Sequence, residues 1–562
     1  MAPIHTAPPA GHTTGIAQTR SALGKIRPGL LERYDAAVPA ARAAVLARLL
    51  GALDREPLPG IASRARGGGV RHVTLADGRT VSFPAAAGRP FAEAEPGLAA
   101  RVDRAVPGGT PDPATSTGGA AGLPGVAAWT DGTPGPNPDG SGTGSYHDPG
   151  DLVRALWPGA GLAAEIDNSV ANLALARAGR PDTATGLHEV AGDPGGLGRL
   201  EQLVTDGHPL HPCCRTRGGM SVADVLAYAP EHRPVIRLRR LRVPADRWHG
   251  DSPPLLYAHP WQAERLRDAY PWLADAGETG PVRPLMSLRT VAPIDGGDHV
   301  KTAVDVQMTS AVRTVSPAAV HNGPRLSALL LKLTVDLPLT VLAETAAGAV
   351  IVDGRPSRHL AHLRREAPSV GPGEVVLPLA ALGVPGLLRD AVGDRPYRWF
   401  GALAAILWGP LITVLDRGVA LEAHGQNTLV VLRDGRPVRI VYRDLGGVRV
   451  SSRRLRAAGV EPPDLHGDLP ADDPAELRTK LAAASIATVA AELITLLARH
   501  HGADPDRLWG IVAASIRDAG TADAAALLCE PLPIKATTAM RLAPDPLADL
   551  WASIDNPAAP HT

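Results

Sequence analysis

The residues best suited to chemistry lie between 422 and 444. Glu422-Ala-His424-Gly-Gln426-Asn427 leads into an alternating run, NTLVVLRDGRPVRIVYRD (427–444), and the Asp434-Gly435 dipeptide within it predicts a tight hairpin turn. A hairpin of this length returns its two ends to each other, so Asn427 and Asp444 are expected as neighbours. An amide carbonyl and a carboxylate, completed by Glu422, form an oxygen set of the kind that holds Mg²⁺ against nucleotide phosphates, with water filling the remaining positions. The bland alternative is a polar helix cap entering a hairpin.

Two further constellations stand out. Ser287-Leu-Arg289-Thr290, Lys301, Thr309-Ser310 and Arg313 bring hydroxyls, guanidiniums and one ammonium into a short stretch. Such groups neutralise and hydrogen-bond phosphate or carboxylate oxygens. The alternating run HVKTAVDVQMT (299–309) puts Lys301, Ala303, Asp305 and Gln307 on one predicted strand face. The second constellation is GHPLHPCCRTRGG (207–219), with His208, His211, Cys213 and Cys214. Its spacing invites a zinc reading, but the prolines fix an extended loop and no second Cys/His cluster completes four ligands.

Residue usage sharpens these choices. The chain has 52 Arg but only 5 Lys, 5 Gln and 6 Asn, beside 60 Gly and 55 Pro. Where a cation alone suffices, such a bias supplies Arg, so a remaining Lys or amide is a better candidate for a specific task.

The elements that must position these groups can be read coarsely. At 562 residues, and roughly 100–200 residues per domain, about three lobes are expected. Hydrophobic residues at 44% and charged residues at 20% exclude wholesale disorder. Basic and acidic side chains balance at 57 each, which argues against a nucleic-acid-coating surface. Three cysteines, two of them adjacent, cannot build a disulfide framework, and a reducing, cytoplasmic setting is expected. The first twenty residues do not read as a signal peptide. Trp399–Leu415 is uncharged for 17 residues but short for a span and broken by Gly409-Pro410, so a buried core helix is expected. Residues 20–105 read mostly as helix with a strand pair at 70–84. Residues 107–144, of which 18 of 38 are Gly or Pro, read as a flexible insertion. Helices are expected at 151–157, 164–178 and 396–422, strands at 233–243, 299–309 and 347–354, and helix again from 474 onward. The fold class is α+β, multi-lobed, with a cleft.

The 422–444 fragment has the flavour of small-molecule kinases of the aminoglycoside type. These place an Asp two residues after the His, as the base for a substrate hydroxyl. Here that position is Gln426, which suits an acceptor that is already an anion. Taken together, EIDNSVAN (165–172), GHPLHPCCRTRGG (207–219), HPWQ (259–262), SLRT (287–290), Lys301 with Thr309-Ser310 and Arg313, EAHGQN (422–427), RDLGG (443–447) and LPIKATTAMRL (532–542) resemble the aerobactin-synthetase-like IucA/IucC family, the NRPS-independent siderophore synthetases. The departures are Arg215, where Lys is expected, and the 107–144 insertion.

The resemblance implies a cupped hand: a helical thumb region (1–160, with the insertion), β-rich fingers (161–390) and a mixed palm with a kinase-like hairpin (391–562). It implies an ATP-dependent ligase that adenylates a carboxylate such as citrate or a citrate derivative and condenses it with an amine, a hydroxylamine-bearing polyamine or an alcohol, releasing AMP and pyrophosphate. By family position, Ser287, Arg289, Thr290, Lys301, Arg313, His424, Gln426, Asn427 and Asp444 bind ATP. Glu422, Asn427 and Asp444 surround Mg²⁺. Thr309, Ser310, Arg313, His424, His211 and Arg217 hold the substrates. Lys301, Arg313 and His424 are the catalytic candidates, with His211 or His424 as a base for the amine. A homodimer is common in the family, and no nucleic-acid or membrane partner is expected. The alternatives are a ligase of the same fold serving another natural-product pathway, a small-molecule kinase, or a binding protein. AMP with pyrophosphate, ADP, or neither separates them.

Overall fold

The computed structural model describes residues 14–104, 143–182, 185–309, 311–545 and 549–561. The insertion read at 107–144 falls almost wholly outside them, and Ser310 entirely so. The fold is mixed α+β, as composition and patterning suggested.

The helix Leu31–Arg55 buries Tyr34, Val38, Val45, Leu46, Leu49, Leu50 and Leu53 along one apolar stripe. With Leu162–Ala178 it builds an N-terminal core that also takes in Val304, Val306, Ile534 and Ala552. The expectation of helix over 20–105 fails beyond residue 55. Ile61–Gly67, Val70–Leu75, Arg79–Pro84, Ala100–Arg104 and Gly144–Tyr146 form a five-stranded antiparallel meander in chain order. Only its 70–84 hairpin has a readable signal. The first strand, IASRARG, is mostly exposed and shows no apolar alternation, so it carries nothing for a pattern argument to find.

A six-stranded sheet follows the order Val282–Pro284, Thr290–Pro293, His299–Thr302, Arg355–Arg365, Glu344–Val352, Trp248–His249. The predicted run 299–309 is two strands. The first, His299–Thr302, sits in this sheet; after Ala303 the chain turns into Val304–Met308, which pairs with Ala311–Arg313. The shared face expected for Lys301, Ala303, Asp305 and Gln307 is therefore broken at Ala303, which is buried at 2% exposure while Asp305 reaches out to His359 Nδ1 at 2.6 Å. Of the strand expected at 233–243, only Arg239–Arg242 forms.

The C-terminal part is organised by Pro396–Asp416, whose Trp399, Phe400, Leu403, Leu407, Trp408 and Leu411 lie in the largest core. The long hairpin, Thr428–Arg433 with Arg436–Tyr442, packs in a four-stranded sheet with Glu374–Pro378 and Leu339–Val341. Its turn is at Asp434-Gly435, both at positive φ, as a two-residue hairpin loop demands. The helix ends at Asp416 rather than 422, so Glu422–Asn427 is loop, not helix end. Helix continues from Pro474 to Cys529, π-helical over Ala482–Ala490, but the chain then forms a strand pair, Leu532–Lys535 with Trp551–Ile554, where helix was expected.

Among the described residues, three helical stretches are long and apolar enough to cross a membrane by length and composition: Pro28–Arg55, Pro396–Asp416 and Pro474–His501. The sequence reading had singled out one. Most of the apolar window of each is buried inside the protein (61%, 61% and 72%), so Trp399–Leu415 is a core helix here.

Candidate functional site: a cation-lined cleft

Three turns present the site. The first, between Val282–Pro284 and Thr290–Pro293, is tight: Leu288 adopts φ 61° with its side chain fully buried, and Ser287 Oγ accepts the Thr290 N–H at 3.2 Å. Register then sets Thr290 opposite Lys301, and Thr302 donates from both N and Oγ1 to the Arg289 carbonyl (2.9 and 3.1 Å). The second is at Thr309, which stands at φ 53° with its hydroxyl taking a hydrogen bond from Arg313 Nη2. The third follows the long hairpin: Arg443 N donates to the Asn427 carbonyl at 3.0 Å, and Asp444 stands at φ 71°, ψ 93°. A left-handed threonine, leucine or aspartate costs of order 1–3 kcal/mol, and such strain concentrates at functional sites.

Asp444 is the electrostatic centre. Its Oδ1 meets Lys301 Nζ at 2.7 Å. Burial alone would raise the Asp444 carboxyl, but Lys301, Arg365 and Arg289 hold it far below the ordinary carboxylate range. Around this pair lie more cations than carboxylates can match. Arg313 is pushed down to about 10 by burial and by its like-charged neighbours Arg289 and Arg217. Arg289 bonds only the Thr314 carbonyl through its guanidinium, and neither it nor Arg313 lies within ion-pair distance of a carboxylate among the described residues. The supporting layer is itself charged: Arg443 pairs with Glu201 at 2.7 Å, both buried, and Glu344 sits opposite Arg365 on adjacent strands and receives the Leu445 N–H.

Glu422 meets Lys480 at 3.5 Å; Lys480 reaches Asp549 (3.3 Å), which also binds Lys535 (2.8 Å). Lys535 acts electrostatically on both His208 and His424, placing it at the same cleft. Three of the chain's five lysines thus converge here. Gly447 leaves room for the Glu422 carboxylate, since a Cβ there would meet Glu422 Oε2 and displace it. Glu422, Asn427 and Asp444 supply only oxygen donors of the hard type, and the glycine-lined approach to Glu422 is consistent with a Mg²⁺ set.

His208, His211 and His424 each accept a backbone N–H at Nδ1, from Leu210, Cys213 and Gln426 (3.2, 3.0 and 3.2 Å). In the neutral ring this leaves the proton on Nε2. Enclosure in the cleft lowers all three, His208 to about 3, so they stay neutral at physiological pH. His208 keeps its ring open to solvent despite the surrounding protein, as a cleft-floor residue does.

The GHPLHPCCRTRGG loop is held by the polar face of Leu162–Ala178. Asn168 Oδ1 accepts the Arg217 N–H (2.8 Å), Ser169 Oγ donates to the Pro212 carbonyl (2.9 Å), and Asn172 donates to the Arg215 carbonyl (3.1 Å). Gly218 N donates to the Gln307 carbonyl at 2.9 Å, seating the loop against the hairpin that turns at Thr309. The zinc reading fails: Cys213 and Cys214 are buried in the N-terminal core, and His211 is spent on Cys213's own backbone. Arg217 is buried and ion-paired to Glu231 at 2.9 Å. Arg215 bonds Glu231 and the carbonyls of Val204 and Thr205.

Of the sequence candidates, Lys301, Asp444, Arg289, Arg313, Thr309, His424 and Glu422 are linked by contact or charge. Thr290 and Ser287 shape a turn beside them. Gln426 and Asn427 line the adjoining loop, with the Gln426 carbonyl bonded to Arg443 (2.9 Å). Sequence reasoning missed Glu344 and Arg365, visible only once strand register pairs them. It also missed His208, Lys480 and Lys535 as site residues, although lysine rarity pointed at the last two.

Residues 197–254 and 251–384 match the family model described as IucA / IucC family. Residues 397–545 match one described as ferric iron reductase FhuF-like transporter. In this chain that latter segment carries the long hairpin and a single cysteine, Cys529, too few for a thiolate-held iron centre. The chain is 27% identical to staphyloferrin A synthase of Staphylococcus aureus over 368 residues, 56% of this chain and 63% of that protein, so the match spans under two thirds of the relative. Among solved structures it resembles the petrobactin biosynthesis protein AsbB of Bacillus anthracis (TM-score 0.74, 18% identity, 95% of this chain and 98% of that one). It likewise resembles ATP-bound aerobactin synthetase IucA of Klebsiella pneumoniae (TM-score 0.69, 19% identity, 92% and 99%). Motif order and sequence relatives agree on the IucA/IucC family, whose model the chain matches over residues 197–384, and the solved relatives share its fold.

Proposed function

We propose that this protein is an ATP-dependent ligase that adenylates a carboxylate, citrate or a citrate-derived acid, and passes the acyl group to an amine, a hydroxylamine-bearing polyamine or an alcohol. The observation that carries the reading is the excess positive charge of Lys301, Arg289 and Arg313, of which only Lys301 has an ion-pair partner, Asp444, among the described residues. Triphosphate and carboxylate repel each other, and a cleft must supply cations in excess to bring them together. The solved relative whose title names bound ATP supports the nucleotide side of the reading.

In the first step a substrate carboxylate oxygen attacks the α-phosphorus, and the bond to pyrophosphate breaks. Lys301 and Arg313 neutralise the charge that builds on the phosphoryl oxygens. Arg289, with the Ser287 and Thr290 turn, orients the triphosphate, and the Gln426–Asn427 loop closes on it. Glu422, Asn427 and Asp444 are the residues that would hold Mg²⁺, which supplies charge neutralisation for the departing pyrophosphate. In the second step the amine nitrogen attacks the acyl carbon, the carbon–oxygen bond to AMP breaks, and the amine's proton passes to a base. His424 and His211 are the candidates; each now carries its proton on Nε2, so it takes the amine's proton at Nδ1 once that nitrogen releases the backbone N–H it accepts. Thr309, Ser310 and Arg313 hold the acid; Arg217, tied to Glu231, shapes the pocket wall rather than reaching into it. The three-lobed cupped-hand division at 1–160, 161–390 and 391–562, the kinase-like character of the hairpin, a homodimer and a cytoplasmic location complete the proposal.

The test is ATP–pyrophosphate exchange across citrate, succinyl-hydroxydiamines and 2-oxoglutarate, with nucleotide products resolved. Acid-dependent exchange and AMP formation are expected. ADP as the product would overturn the reading in favour of a kinase. No nucleotide turnover with any acid would leave a binding protein.

A further inference from the structure

A second set of ligating atoms lies outside the cleft. His321 is on the helix Pro317–Leu333, and Asp464 and His466 are on the loop after Ser452–Ala457. Their donor atoms all fall within 4.8 Å of one another, and among the described residues this is the grouping of three or more His, Cys, Asp or Glu side chains that could share an ion. His321 Nε2 is 3.3 Å and His466 Nε2 3.8 Å from Asp464 Oδ2. The two imidazoles stack, centroids 3.6 Å apart and planes within 2°.

The arrangement is built by buried parts, not by chance meeting of surface chains. Asn322, 2% exposed, clasps the loop in both directions: its Nδ2 donates to the His466 carbonyl (2.8 Å) and its Oδ1 accepts the His466 N–H (2.9 Å). Leu465, between the two loop ligands, packs against the main core, which sends Asp464 and His466 outward together. The ligands join segments 143 residues apart.

We propose that His321, Asp464 and His466 form a binding site for one divalent late-transition cation of the Zn²⁺ class, clamping the 317–333 helix to the 459–468 loop. Two imidazoles and one carboxylate, with water completing the shell, suit such an ion; Mg²⁺ prefers an all-oxygen set such as Glu422, Asn427 and Asp444. The His321 Nε2–H now points at the Asp464 carbonyl (3.2 Å). Ligation there moves that proton to Nδ1, which leaves a neutral imidazole neutral. The clasp at Asn322 fixes the backbone that carries the loop ligands, and the two rings swing out of their stack for both nitrogens to meet one ion.

The experiment uses the full chain stripped with EDTA and titrated calorimetrically with Zn²⁺ in excess Mg²⁺. The variants are Asp464→Asn, His466→Ala and the double His321→Ala/His466→Ala. Asp464 is 78% exposed at its side chain, so its variant should fold as wild type does. One Zn²⁺ equivalent in wild type is expected, at least about tenfold weaker in each single variant and absent in the double. With Co²⁺ in place of Zn²⁺, wild type should show visible absorption of a nitrogen-ligated ion that the double variant lacks. Equal stoichiometry and affinity in wild type and the double variant, or no Zn²⁺ uptake by wild type at millimolar metal, would overturn the proposal.

Discussion

Two pairs of arginines, one buried and one half-buried, make opposite use of the same chemistry. Under the His-Pro loop, Arg215 and Arg217 share Glu231, and backbone carbonyls of Val204, Thr205 and Thr216 take most of what is left of their donors. In the cleft, Arg289 and Arg313 have one hydrogen-bond partner each among the described residues, a carbonyl and a hydroxyl, and they push on each other. Burying a charge is costly unless it is paired. The first pair has its partners built in and is a piece of architecture. The second is short of anions, and the fold holds it there because an anion arrives from outside. Residue type alone would not separate the two; the count of built-in partners and the opening to solvent do.

The contrast can be broken at several points. The largest effect is expected at Asp444: Asp444→Ala should cost adenylation at least about 10³-fold, roughly 4 kcal/mol of transition-state stabilisation, in a protein that still folds but melts lower because Lys301 loses its partner. Asn427→Ala should follow it. Pyrophosphate exchange near the wild-type rate in either would remove the cleft assignment. On the architectural side, Glu231→Gln strands two buried guanidiniums and should lower stability by about 3 kcal/mol, read as a shift in urea midpoint. Exchange activity of the molecules that remain folded should be largely kept. If stability held and activity fell instead, Glu231 would belong with the cleft.

A smaller and sharper test concerns Lys301. An Arg fork is longer and planar where a compact ammonium now meets Asp444, so Lys301→Arg should lose about tenfold in kcat/KM for pyrophosphate release, near 1.4 kcal/mol. A loss within twofold would mean that charge alone matters there. The mildest effect is on acid stability. Burial alone would raise the Glu231 carboxyl, yet Arg215 and Arg217 hold it at about 2, below its ordinary 4.5. Its folded-state value is depressed, so its contribution is fully present above pH 4.5 and is lost as pH falls toward 2. Wild-type stability should therefore slope downward through that window, and the Glu231→Gln protein should lack that part of the slope.

Lysine scarcity shows how far composition reaches. Lys301, Lys480 and Lys535 come from three distant stretches and end within one network of carboxylates. Scarcity marks them as worth finding, but nothing in the one-dimensional chain says that they meet. The scarce amides behave alike: Asn168 and Asn172 hold the His-Pro loop, Gln262 bonds the Ala303 carbonyl and the Asp305 N–H where the strand breaks, and Asn322 clasps His466. In a chain biased towards Gly, Ala, Pro and Arg, an amide persists where one side chain must both donate and accept.

The sequence by itself determined the local elements whose cause is local. The 427–444 hairpin follows from alternation and an Asp-Gly turn, the Pro396–Asp416 helix from its apolar face, and the family from motifs in order. Tertiary structure decided what depends on register and return of the chain. The strand His299–Thr302 ends where Ala303 enters the core, which scatters the face that alternation had promised. Glu344 meets Arg365 only because two strands align, and the exposed Ile61–Gly67 strand exists only because a neighbour offers hydrogen bonds. Lys535 reaches His424 because the last strand pair folds back onto the site. Periodicity records which side of an element is buried. It does not record against what, and a catalytic cleft is made of the second kind of information.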